Sequence, residues 1–225
     1  MTTQRLLSFA RRGVLLLLAA LPISGLRAQH PFELPDLAKL TGISDPQFSP
    51  DGKQVAYWYP RQGNTMNINE VWAAPATGGE GQNLTPTLDR DVFRAIWMPD
   101  GKALLLGGLD GNRTSLWLQP AKGGAARKLA LGPVSPAWSF WVETNVSRTG
   151  GIAFVGSSPD RPAELYYLAS ASAAPKRLTD FNGAVHNLQL GKAETRTWQA
   201  DGLTHDGQLY SSRSGMRIEN MKFQA

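Results

Sequence analysis

Short apolar runs bounded by turn residues recur along the chain, and they follow the period-2 alternation of strands rather than the 3.6-residue period of helices. Gln54-Val55-Ala56-Tyr57-Trp58 follows the turn Ser49-Pro50-Asp51-Gly52-Lys53. Ala103-Leu104-Leu105-Leu106 follows Met98-Pro99-Asp100-Gly101-Lys102, and Ile152-Ala153-Phe154-Val155 follows Arg148-Thr149-Gly150-Gly151. These segments lie 49 residues apart (Pro50, Pro99, Arg148). A second element recurs in the same order: Val71-Trp72-Ala73, Leu116-Trp117-Leu118, Leu165-Tyr166-Tyr167. A third closes each unit: Asn83-Leu84-Thr85, Lys128-Leu129-Ala130, Arg177-Leu178-Thr179. The first unit carries four extra residues around Arg61 to Asn67.

Each unit predicts four short strands. Pro-Asp-Gly makes the first hairpin turn, since Pro presets φ and Gly accepts positive φ. Asp110-Gly111-Asn112 and Ser158-Pro159-Asp160 make the second hairpin in their units. Thr77-Gly78-Gly79 and Lys122-Gly123-Gly124 turn into the short fourth strand. A four-stranded unit repeating every 45–50 residues predicts blades of a β-propeller. The fold class is therefore all-β, a partial propeller of about three blades near residues 45–88, 93–131 and 139–182. Trp58, Trp72, Trp97 and Trp117 fall at blade-core positions, so packing accounts for them better than stacking platforms for sugars or bases. Propellers usually have four to eight blades. The cluster Pro133, Ser135, Pro136 marks a join, between about Gly132 and Ala137, where further units would fit.

Residues 1–28 predict a secretory signal peptide. Arg11-Arg12 ends a basic start, Val14 to Leu21 is an apolar run too short to span a bilayer, and Ala28 places cleavage before Gln29. This segment also explains the net charge of +5. It holds Arg5, Arg11, Arg12, Arg27 and no acid, and the remainder balances 19 basic against 18 acidic residues. The charge therefore gives no ground for nucleic-acid binding. No later run is long enough for a membrane span, so a soluble periplasmic or secreted product is expected. Cysteine is absent, which excludes disulfides and thiol chemistry.

The blade motif Ser49-Pro50-Asp51-Gly52-Lys53, with its apolar strand and later Leu84-Thr85, resembles TolB-type propellers and the propeller domains of the prolyl oligopeptidase family of serine peptidases. Two stretches favour the peptidases. Residues 37–46, Leu-Ala-Lys-Leu-Thr-Gly-Ile-Ser-Asp-Pro, resemble their entry into the first blade. Residues 177–182, then Glu194-Thr195-Arg196-Thr197-Trp198 and Asp201-Gly202-Leu203-Thr204, resemble their exit toward a hydrolase domain. The resemblance covers roughly residues 36–210. It implies a lead-in at 29–44, an exit segment at 183–210 and an atypical tail at 211–225. It also implies a catalytic domain missing beyond about Ser211, through truncation or frameshift.

The chemistry of this chain is sparse. A hydrolase nucleophile needs Gly-x-Ser-x-Gly. Gly42-Ile43-Ser44-Asp45-Pro46 matches only its first half and is better read as blade entry. His186 lies in a strand-like alternation, and His205 lies in Thr204-His205-Asp206-Gly207, which predicts an exposed turn. The dipeptidyl-peptidase relatives hold the substrate amine with paired acids, but Glu33, Glu70, Glu80, Glu143, Glu164, Glu194 and Glu219 are all isolated in sequence. Asp110-Gly111-Asn112 lacks the spacing of a calcium loop. No catalytic, cofactor-binding or metal-ligating residue is assigned. The expected partners are a peptide substrate acting with the missing hydrolase domain, or a protein partner of a non-catalytic TolB-like module. Self-association through open blade faces, with Val55, Tyr57, Ile152 and Phe154 or their neighbours uncovered, is the remaining expectation.

Overall fold

A computed structural model describes residues 33–37, 39–185, 192–211 and 217–220. The predicted export signal and His186 lie outside them. Residues 1–40 and 41–225 form two compact units. In the first, a helical turn α1 (Leu34–Leu37) is closed by Asp36, whose carboxylate accepts from the Glu33 amide and pairs with Lys39.

The second unit is built of antiparallel sheets. Sheet one runs β1 (Ser44–Phe48), β2 (Gln54–Pro60), β3 (Asn69–Pro75), β4 (Gln82–Asn83). Sheet two runs β5 (Val92–Trp97), β6 (Ala103–Asp110), β7 (Arg113–Pro120), β8 (Arg127–Lys128). In sheet three, β9 (Ser135–Pro136) and β10 (Thr144–Val146) both pair with β11 (Ile152–Ser158), followed by β12 (Arg161–Leu168) and β13 (Lys176–Arg177). These are three propeller blades. A further sheet of β14 (Lys192–Ala200), β15 (Leu203–Ser211) and β16 (Arg217–Asn220) occupies the exit segment and the start of the tail.

The sequence repeat is a repeat of register. Trp72, Trp117 and Tyr166 sit opposite Asn83, Lys128 and Arg177 across the third and fourth strands. The same three aromatics sit opposite Tyr57, Leu106 and Phe154 across the second and third strands. Gly52, Gly101 and Gly150 all have φ between +67° and +84°, the left-handed region that the first hairpin turn demands. The closing Leu-Thr element hooks the fourth strand on. Leu84, Leu129 and Leu178 amides donate to the Val71, Leu116 and Leu165 carbonyls at 2.7–2.8 Å. In blades one and three, Thr85 and Thr179 Oγ1 also accept from the Val71 and Leu165 amides at 2.9 Å.

Two cores lie between three blades. Ala56, Val71, Ala73 and Leu84 of the first pack on Val92, Ala95, Trp97, Leu104, Leu106 and Trp117 of the second. Leu105, Leu116 and Leu129 of the second pack on Val142, Ile152, Phe154, Tyr166 and Leu168 of the third. Gly107 permits this second contact, because a Cβ there would stand 2.7 Å from Val142. The blades are also stapled by polar groups. The Asp45 carboxylate of blade one accepts from Arg94 Nη1 and the Ala95 amide of blade two, and Trp97 Nε1 donates to the Gln47 carbonyl.

Two expectations need correction. Ile152 and Phe154 are not on an uncovered face; they are 0% and 1% exposed. The Ser49 amide bonds the Gln54 carbonyl and the Met98 amide that of Ala103, but Ser147 bonds Gly151, so the third turn is one residue shorter. A one-residue slip sends every side chain of the following strand to the opposite face. The second correction concerns the join at 132–137. Val134 is buried between blades two and three, and Ser135 Oγ accepts from the Thr114 amide and donates to its carbonyl. The two blades are direct neighbours there.

Candidate functional site

Among the described residues lies a cleft of about 920 Å3. Three remote segments build it. The β6–β7 hairpin contributes Leu109 and residues 111–114, the link into blade three contributes 135–138 with Ser157, and β15 contributes 204–208.

Each wall is fixed locally. The hairpin tip is a two-residue turn closed by the Asp110–Arg113 pair, with Gly111 at φ +63°. Its base is held by the Asp110 carboxylate, which accepts from Arg90 Nε at 2.8 Å, Ser115 Oγ at 2.8 Å and Lys128 Nζ. Burial opposes ionisation of Asp110, but the hydrogen bonds from Lys128, Arg90 and Ser115 outweigh it and hold its carboxyl at about 2. Gly111 also lets the β14–β16 sheet approach, since a Cβ there would meet Asp206 Oδ2 at 2.6 Å. On the second wall, Trp138 continues an aromatic row with Phe93 and Trp58, at ring separations of 5.6 and 5.9 Å. On the third, His205 stacks on Trp198 at 5.8 Å, and its Nε2 lies 3.3 Å from the Ala200 carbonyl.

His205 therefore corrects the expected exposed turn. The hairpin turn falls at Asp201 and Gly202, with φ of +51° and +75°, and His205 is a half-buried strand residue on β15. Ser44 and Asp45 are blade entry, as read. Asp110-Gly111-Asn112 is a hairpin tip, as read. Trp97 and Trp117 are core residues, whereas Trp72 lies half-buried on the outer face of blade one beside Tyr59.

The isolated glutamates conceal a structural pair. Glu70 and Glu164 occupy equivalent positions, two residues before the third-strand aromatic, and are 5% and 2% exposed. Glu70 accepts from Arg61 Nε and Asn83 Nδ2, both at 2.8 Å. Glu164 accepts from Thr179 Oγ1, from the Phe181 and Asn182 amides and from Asn182 Nδ2. The Thr179 hydroxyl bond, supported by these amides, holds the Glu164 carboxyl at about 2 against the effect of burial. Both carboxylates are spent on closing their blades. The signal that would have found them is the shared offset from Trp72 and Tyr166.

Chemically the cleft offers a guanidinium (Arg113), an imidazole (His205), a carboxylate (Asp206), hydroxyls and one indole wall. Ser135 is engaged with the Thr114 backbone, and His205 with Ala200. Among the described residues, no group of three or more His, Asp and Glu side chains is placed to hold a metal ion, and no helix is long and apolar enough to cross a membrane.

No family model matches the chain. Dipeptidyl-peptidase 5 of Porphyromonas gingivalis is 28% identical over 154 residues, covering 68% of this chain and 22% of that protein. The Tol-Pal system protein TolB of Anaeromyxobacter dehalogenans is 30% identical over 105 residues, 45% of this chain and 23% of that protein. The acylaminoacyl peptidase of Pyrococcus horikoshii superposes with a TM-score of 0.59 at 16% identity, over 77% of this chain and 26% of that one, and so supports the fold. The chain thus spans about a quarter of the length of these proteins. The resemblance read from the blade motifs holds: the chain is similar to the propeller portion of such peptidases and to TolB.

Proposed function

We propose that this chain serves as the propeller portion of a secreted prolyl-oligopeptidase-like serine peptidase, gating or selecting peptides for the hydrolase domain of such an enzyme. The observation that carries the reading is the similarity to dipeptidyl-peptidase 5, which runs through 68% of the chain and is matched by a three-blade stack. The cleft fits the role. An extended peptide presents carbonyls and a carboxylate that Arg113 can bind, amides that the hydroxyls and Asp206 can accept, and side chains that Trp138 can cover. Peptide-bond hydrolysis would require the nucleophile elbow, and no Gly-x-Ser-x-Gly occurs in the sequence. The predicted export signal at 1–28 supports a periplasmic or secreted location.

A second reading, a TolB-like periplasmic module that binds folded proteins without chemistry of its own, draws on the TolB similarity over 105 residues. Titration of the purified chain with free and N-acetylated tetrapeptides, followed by Trp fluorescence, separates the two. Saturable binding that falls at least tenfold in Arg113→Ala and Trp138→Ala supports the peptidase reading. Absence of any peptide binding, with the fold intact, overturns it.

A further inference from the structure

One wall of the cleft is the end of an aromatic row that crosses all three blades. Trp58 on β2 meets Phe93 on β5 nearly at right angles, with ring centroids 5.9 Å apart and planes at 86°. Phe93 in turn meets Trp138 at 5.6 Å and 59°. Trp138 lines the cleft, whereas Trp58 and Phe93 stand behind it. Both ends of the row are pinned. At the far end, Trp58 Nε1 donates to Asp45 Oδ2 at 3.1 Å. The Asp45 side chain is 10% exposed, and its carboxylate also accepts from the Ala95 amide, Arg94 Nη1 and Gln47 Nε2. Asp45 has a φ of +51°, a conformation that a non-glycine residue keeps only where its surroundings over-determine it. At the near end, Trp138 opens a short loop closed by its antiparallel bridge to Val142. The preceding Ala137 amide donates to the Val155 carbonyl, and the Val142 amide donates to the Phe93 carbonyl at 3.4 Å.

We propose that this row is the specificity element of the cleft: its terminal indole, on Trp138, packs ring to ring with an aromatic side chain of the bound peptide. The inference rests on the peptide reading above and narrows it to peptides that carry Phe, Tyr or Trp. The rings of the row meet edge to face or tilted, so Phe93 does not lie flat on the indole, which stays 47% exposed. Aromatic pairs gain from the match of a negative face to a positive edge, in offset stacks or T-shaped contacts, which an aliphatic side chain of equal bulk does not offer. Such a contact discriminates only when the receiving ring is held in place. The Asp45 hydrogen bonds at one end and the loop bridge at the other hold this one. Phe93 and Trp58 are therefore positioning residues, which act on the peptide through Trp138.

Isothermal titration of the full chain with N-acetylated tetra-alanine peptides, in which Phe or Leu replaces each Ala in turn, tests it. The tightest Phe peptide should bind about threefold to tenfold more tightly than its Leu counterpart. That ratio is the readout, because a merely structural loss weakens both peptides alike. Trp138→Leu and Phe93→Leu should bring the ratio close to one. Trp138→Phe should keep the preference, since it keeps a ring. Phe140→Ala, on the same loop but outside the lining of the cleft, should keep it too. Thermal melts verify the fold of each variant, and where Phe93→Leu lowers stability the two Trp138 variants decide by themselves. Equal binding of Phe and Leu peptides to the unmodified chain overturns the proposal and leaves the peptide reading standing. So does a preference that survives Trp138→Leu, or one that is lost in Phe140→Ala instead. Absence of binding by every peptide overturns the reading and the proposal together.

Discussion

Asp110 and Glu164 each fasten a blade, and the direction of their pKa shifts follows from it. Asp110 and Glu164 are both held at about 2, below the ordinary carboxylate range, by hydrogen bonds that only the folded chain supplies. A carboxyl depressed by folding contributes stability above its unfolded pKa of about 4 and loses it as pH falls through its folded value. The blades should therefore weaken between about pH 4 and pH 2. Glu164→Gln is expected to lower the melting temperature at pH 7 and to flatten the loss between pH 5 and pH 2. Asp110→Asn is expected to cost on the order of 1 kcal/mol, since Arg90 and Lys128 are partly solvated partners. Urea titrations at pH 7 and pH 3 check both, and an unaltered pH dependence in Glu164→Gln would contradict the fastening role. None of this was legible in sequence. A lone Glu carries no sign of its environment, and only the offset from the third-strand aromatic links Glu70 to Glu164.

At the scale of the element, the sequence was far more legible. Turn residues and apolar runs located the second and third strands of each blade, because Pro-Asp-Gly, the central aromatic and Leu-Thr each have a local physical job, but they missed β9, which lies in the stretch read as a join. What failed was parity. The turn before Ile152 lacks one residue relative to its counterparts, which inverts the face of β11 and buries Ile152 and Phe154 instead of exposing them. A turn read only as a turn does not reveal such a slip. The Leu-Thr element also makes a specific claim. Thr85 Oγ1 accepts from the Val71 amide inside the first core, and Thr85 itself is 1% exposed. Thr85→Val keeps the shape and strands that amide, so a loss of about 1–3 kcal/mol is expected. Thermal melts of Thr85→Val beside Thr85→Ser measure it; the serine variant retains the hydroxyl and should recover most of the loss.

At the scale of the whole molecule, stability should be graded by how many faces of each sheet are covered. The candidate cleft escaped sequence reasoning for a related reason: its walls come from separate segments spread between residues 109 and 208 that only the stacked blades and the β14–β16 sheet bring together. Blade two alone has both faces buried, one in each core. Blades one and three bury one face each. Among the described residues, none of the sheet of β14 to β16 joins either core. Local opening needs the least free energy where the fewest apolar contacts must be broken. Amide exchange should therefore be slowest in β6 and β7, at Leu104–Leu106 and Leu116–Trp117. It should be intermediate in β2, β3, β11 and β12, and fastest in β14 and β15. Uniform protection across all four sheets would instead mean that the chain opens as one unit, and that the covered faces of blade two give it no advantage over its neighbours.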